Sequence, residues 1–75
     1  MKLMESGEMY LETVYILSME QKTVRSIDVA KHMGVTKASV SFAMRNLQDG
    51  GYLIRDANQC LLLTDVGDAV RVGSN

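Results

Sequence analysis

The stretch "DVAKHMGVTKASVSFAMRNL", residues 28–47, restricts the fold more than any other part of the chain. Gly34 separates two runs of helical periodicity, at a place where a left-handed backbone is easiest to make. Ala30 is small enough to let two helices approach closely, and Val40 is a β-branched anchor inside the second run. The first run predicts a helix over 27–33 with Ser26 as N-cap and Asp28 near the positive end of its dipole. The second predicts a helix over 37–48 capped by Thr36, in which Val40, Ala43, Met44 and Leu47 recur at i, i+3, i+4 and i+7 as a buried stripe. Two helices joined by a short glycine-containing turn form a helix-turn-helix.

The flanking sequence completes the architecture. Residues 4–21 place Leu11, Val14, Tyr15 and Ser18 at helical spacing, with Tyr10 and Leu17 widening the stripe. Met9 and Ile16 lie off it, so this first helix has apolar surface on two sides, more than a lone small domain needs. Asp49, Gly50 and Gly51 end the third helix. "YLIR" and "CLLL", separated by the turn-forming "DANQ", read as a hairpin with a polar tip. Thr64 then caps a last helix running from Asp65 through Ala69 to Val72. The expected fold is mainly α: a winged helix-turn-helix of three helices, a two-stranded β wing and the start of a fourth helix. A three-helix bundle with a decorative hairpin accounts for the apolar stripes equally well, but leaves the charge pattern unexplained.

Seventy-five residues form one domain, 1–75, near the size at which a single core can hold a fold unaided, and 47% hydrophobic residues suffice to build it. Cys60 alone cannot make an internal disulfide and is expected buried in the wing. No apolar run approaches membrane-spanning length and no signal pattern is present, so the expected location is cytoplasmic, with no membrane partner.

The net charge is −1, but its distribution is uneven. Residues 1–21 carry net −3 and residues 56–75 net −2, whereas residues 22–55 carry net +4 through Lys22, Arg25, Lys31, Lys37, Arg45 and Arg55 against Asp28 and Asp49. A basic middle between acidic ends places the anion-facing surface on the helix-turn-helix. At about 100° per residue, Phe42 points roughly opposite Val40, near Ala38, Arg45 and Asp49 and flanked by Ser39 and Ser41. Such a face can lie close to DNA. Hydroxyls bind phosphates or bases, arginine reads guanine or a phosphate, and Phe42 can cover a thymine methyl; alternatively, Phe42 rests against a neighbouring loop. Thr36, Lys37, Ser39, Ser41, Phe42, Arg45 and Arg55 are the expected DNA-contacting residues, with Asn58 and Gln59 at the wing tip. His32 is expected exposed rather than metal-bound. A nucleophile paired with a base, a closed metal cluster and a phosphate-cradling glycine loop are all missing from the sequence, which argues against an enzyme.

The segments "EMYLETVYIL", "VRSIDVAKHMGVTKASVSFAMRNLQDGGYL" and "LLLTDVG" together resemble the N-terminal DNA-binding domain of the diphtheria toxin repressor family of metal-dependent regulators, which includes the manganese transport regulators. The resemblance implies a double-stranded DNA partner, a palindromic operator, a homodimer built by a downstream domain, and a sequence that is a piece of a longer chain. It also implies regulation by iron or manganese, with Met9 and Glu12 matching two of the family's ligand positions and the other ligands lying downstream. Iron-responsive relatives carry methionine at the first position and manganese-responsive ones typically aspartate, so a thioether beside a carboxylate leaves the metal open. At Phe42 the relatives more often have a polar or charged residue. The reading from a different class is a winged-helix module for protein interaction, using Phe42 and the apolar side of the first helix.

Overall fold

The computed structural model describes residues 5–72, and side chains for residues 7–70. Its elements are α1 (Glu5–Glu20), α2 (Ser26–Met33), α3 (Lys37–Asp49), β1 (Leu53–Arg55), β2 (Leu61–Leu63) and α4 (Asp65–Val72). This is the winged helix-turn-helix order. The start expected for the first helix, Met4, lies outside the described residues.

The turn between α2 and α3 is set by Gly34, which adopts φ 71° and ψ 32°. Its N–H and that of Val35 both close on the Ala30 carbonyl, at 2.9 and 3.2 Å, so the helix end is satisfied as the chain reverses. Thr36 caps α3 as expected, its hydroxyl accepting from the Ser39 N–H at 3.1 Å. The cap of α2 differs. Arg25, not Ser26, is the N-cap residue, and the Asp28 carboxylate accepts its N–H at 2.9 Å. Ser26 is already helical, and its hydroxyl instead accepts from Arg55 of the wing.

One core joins all the elements. Leu11, Val14 and Leu17 of α1, Val29 and Ala30 of α2, Val40, Met44 and Leu47 of α3, and Leu53 and Leu61 of the strands are buried together, with Val24 between α1 and α2. In α1 the expected stripe is trimmed: Tyr15 is half-buried and Ser18 exposed. Ser18 lies in the last turns, where its hydroxyl bonds back to the Tyr15 carbonyl at 2.6 Å rather than meeting another element. Thr13 is buried without cost to the core, since its hydroxyl donates to the Met9 carbonyl at 2.9 Å.

The strands pair antiparallel with Leu53 opposite Leu63, Ile54 opposite Leu62 and Arg55 opposite Leu61. They are shorter than the β-prone runs. Tyr52 leads into β1 and Cys60 into β2, because the backbone there serves other bonds: the Tyr52 N–H closes on Leu47 at the end of α3, and the Cys60 N–H on the Asp56 side chain. Leu61 also donates to the Val24 carbonyl at 2.7 Å, tying the wing to the segment before α2. Thr64 caps α4 by accepting the Gly67 N–H and donates to the Gly51 carbonyl at 2.6 Å. The wing is therefore anchored at both ends to the body.

Candidate nucleic-acid interface

The apolar stripe of α3 fixes which way its other residues point. Val40, Met44 and Leu47 are at most 2% exposed, so the opposite side must face out. Lys37, Ala38, Ser39, Ser41, Phe42, Arg45 and Asn46 are all exposed, with Phe42 at 70%. The described residues leave most of the Phe42 side chain uncovered. Thr36 does more than cap. Its hydroxyl also donates to Ser39 Oγ at 2.9 Å, which leaves the Ser39 proton free to donate outward from the first turn.

Beside this face lies an open depression of about 450 Å³ between α3 and β1, lined by Ser41, Arg45, Gln48, Asp49 and Arg55. Two expected phosphate-binding arginines thus share one concavity. Gln48 was not anticipated; its signal was its position, i+7 from Ser41 and i+3 from Arg45 on one helical face. Arg55 is not a free cation. One Nη donates to Gln59 Oε1 and the other to Ser26 Oγ, each at 3.3 Å, while its Nε–H is buried without a partner. The guanidinium so bridges the wing tip to the start of α2, with donor capacity left over.

The wing tip is held from within. Asp56 Oδ1 accepts the N–H groups of Asn58 and Cys60 at 2.8 and 2.9 Å, and its carbonyl accepts that of Gln59. This closes the turn tightly enough to put Gln59 at φ 67°, a left-handed value. Asn58 and Gln59 are exposed at the tip, as expected, while Lys37 lies apart on the first turn of α3.

The residues matching metal-ligand positions lie elsewhere, on α1. Met9 is 60% exposed and Glu12 half-buried, i and i+3 on the helix, so both donors can reach one point beside it. Among the described residues no group of three or more His, Cys, Asp and Glu side chains is arranged to hold a metal ion. His32 is exposed, and Cys60 is buried beside the wing with its Sγ toward the Asn58 carbonyl.

The family model for the iron-dependent repressor N-terminal DNA-binding domain matches residues 2–60. The chain belongs to this family. No individual curated protein matches the sequence. The matched span contains α1, the helix-turn-helix, β1 and the wing tip, and so covers all the outward side chains just described. The family is one of DNA-binding domains of metal-dependent repressors. For the metal, the thioether of Met9 and the carboxylate of Glu12 are donors suited to iron, and the carboxylate to manganese as well. None of the described helices is long and apolar enough to cross a membrane.

Proposed function

We propose that the domain reads a palindromic operator as a homodimer in the cytoplasm, each copy laying α3 in the major groove while its wing contacts the adjacent backbone. The observation that carries this reading is the outward face of α3, small and hydroxylated at its N-terminal half and continuous with the two-arginine depression toward the wing. Small side chains let a helix approach base edges, and the arginines stand where the backbone would pass. In this reading Thr36, Lys37 and Ser39 meet phosphates at the start of α3, Ser41 and Phe42 face the groove, and Arg45, Arg55, Asn58 and Gln59 meet the strand beside the wing. Two copies double the contacts and set the half-site spacing at one helical turn.

Met9 and Glu12 are proposed to supply two ligands to a regulatory iron or manganese ion whose other ligands come from sequence outside this chain. Bound there, the metal supplies electrostatic cross-linking between α1 and whatever carries those ligands. The chain's own part is to present a thioether and a carboxylate one helical turn apart.

DNA binding is tested by measuring duplex affinity of two tethered copies of the chain against salt. With about three phosphate-neutralising side chains per copy, the slope of log K on log salt should be near −3 per copy. Salt-independent binding, or binding to protein partners with none to DNA, would favour the protein-interaction reading instead.

A further inference from the structure

Among the described residues Phe42 is the most exposed large apolar side chain, in the middle of a helix whose buried stripe is complete without it. Its neighbours one helical turn either way, Ala38, Ser39, Arg45 and Asn46, are exposed and either small or polar. The ring therefore stands as a single apolar knob on a face otherwise fitted to polar contacts. Leaving it in water forgoes the burial of a large side chain, and the described residues leave most of it uncovered.

In the major groove the apolar feature that such a knob can meet is the pyrimidine C5-methyl of thymine; the corresponding edge of cytosine offers an N4 donor beside a bare C5. We propose that Phe42 is the specificity-determining residue of this face: it packs on a C5-methyl group in the half-site, selecting thymine over cytosine and accepting 5-methylcytosine in its place. This rests on the DNA-reading function above. It adds that the readout at this position is of the methyl group itself, not of the hydrogen-bond pattern of a T·A pair. Cytosine methylation within the half-site would then strengthen binding.

The experiment starts from duplexes that the chain itself selects from a random pool at low salt. Each thymine is replaced singly by uracil, which lacks only the methyl, and affinities are measured for the wild-type chain and for Phe42→Ala. At one position the replacement should weaken wild-type binding about fourfold, the worth of one methyl-sized contact. Phe42→Ala should weaken binding by a similar factor on the thymine duplex and add little on the uracil duplex. With cytosine at that position, 5-methylation should tighten binding of the wild type and leave Phe42→Ala unchanged. Losses that multiply, or uracil replacements without effect at every position, overturn the methyl contact while a steep salt dependence still upholds DNA binding. Failure to select any duplex overturns both. Phe42→Ala should keep its urea unfolding midpoint, since the ring supports no core contact; Phe42→Gln, which keeps bulk but not apolarity, should behave like the alanine variant toward uracil and methylcytosine.

Discussion

Two glycines show how different constraints act at single positions. Gly34 sits at φ 71° with open space where a Cβ would point, so its substitution is limited by backbone conformation alone. Gly67 has an ordinary helical backbone, but a Cβ there would run into the Tyr52 carbonyl, which cannot swing aside as a side-chain tip can. Gly34→Ala should therefore cost about 1 kcal/mol, and Gly34→Asn less, because asparagine tolerates the left-handed region. Gly67→Ala should cost more, about 2–3 kcal/mol, as an overpacked contact that forces α4 away from the wing. Urea unfolding midpoints of the three variants check the order; equal losses would mean that α4 yields freely. Gly34 was legible in the sequence because its role is local, a turn between two periodic runs. Gly67 was not, because the atom it must avoid lies fifteen residues earlier in the chain. The same distinction separates Thr36, recognised as a cap from its neighbours, from Ser26, whose hydroxyl is claimed by Arg55 twenty-nine residues away.

At the scale of elements, the wing's strands join the shared core through Leu53 and Leu61, whereas its tip depends on polar side chains. Its tip turns around the Asp56 carboxylate, and its position relative to α2 depends on Arg55 reaching both Gln59 and Ser26. Asp56→Ala leaves two N–H groups without that acceptor and should cost about 1–2 kcal/mol, within the range for unsatisfied backbone donors that are partly shielded from water. Arg55→Lys keeps the charge but cannot span two acceptors with a planar fork. Amide exchange at residues 57–60 should then accelerate while α3 remains protected. If exchange is unchanged, Arg55 does not brace the wing and its role is confined to the backbone contact proposed above. The hairpin itself could be read from two β-prone runs and a polar tetrapeptide, and α3 from its stripe. Gln48 shares the α3 face of Ser41 and Arg45 and could have been read from that spacing, whereas the bracing by Arg55 arises only when the wing meets α2, which a local pattern does not encode.

For the whole molecule, the decisive quantity is the separation of its charges. The chain measures 27 × 22 × 21 Å, and α4, which carries Asp65 and Asp68, packs mainly on α1 and β2. Asp65 and Asp68 thus sit on an element seated against α1 and β2, whereas α1 itself packs on α2 and α3. Screening lengths are about 8 Å at 0.15 M salt and about 30 Å at 0.01 M. Negative charge on α4 should then oppose DNA binding only in dilute salt, flattening the log K against log salt plot at its low end. Two variants separate the contributions. Lys37→Ala, on the proposed contact face, should weaken binding at both salt concentrations and reduce the slope by about 1. Asp65→Asn, exposed at the first turn of α4, should strengthen binding at 0.01 M and leave it unchanged at 0.15 M. Anisotropy titrations at the two concentrations check this. An Asp65→Asn effect of equal size at both would place α4 at the DNA surface, and the orientation with α3 in the groove and α4 behind would have to be abandoned.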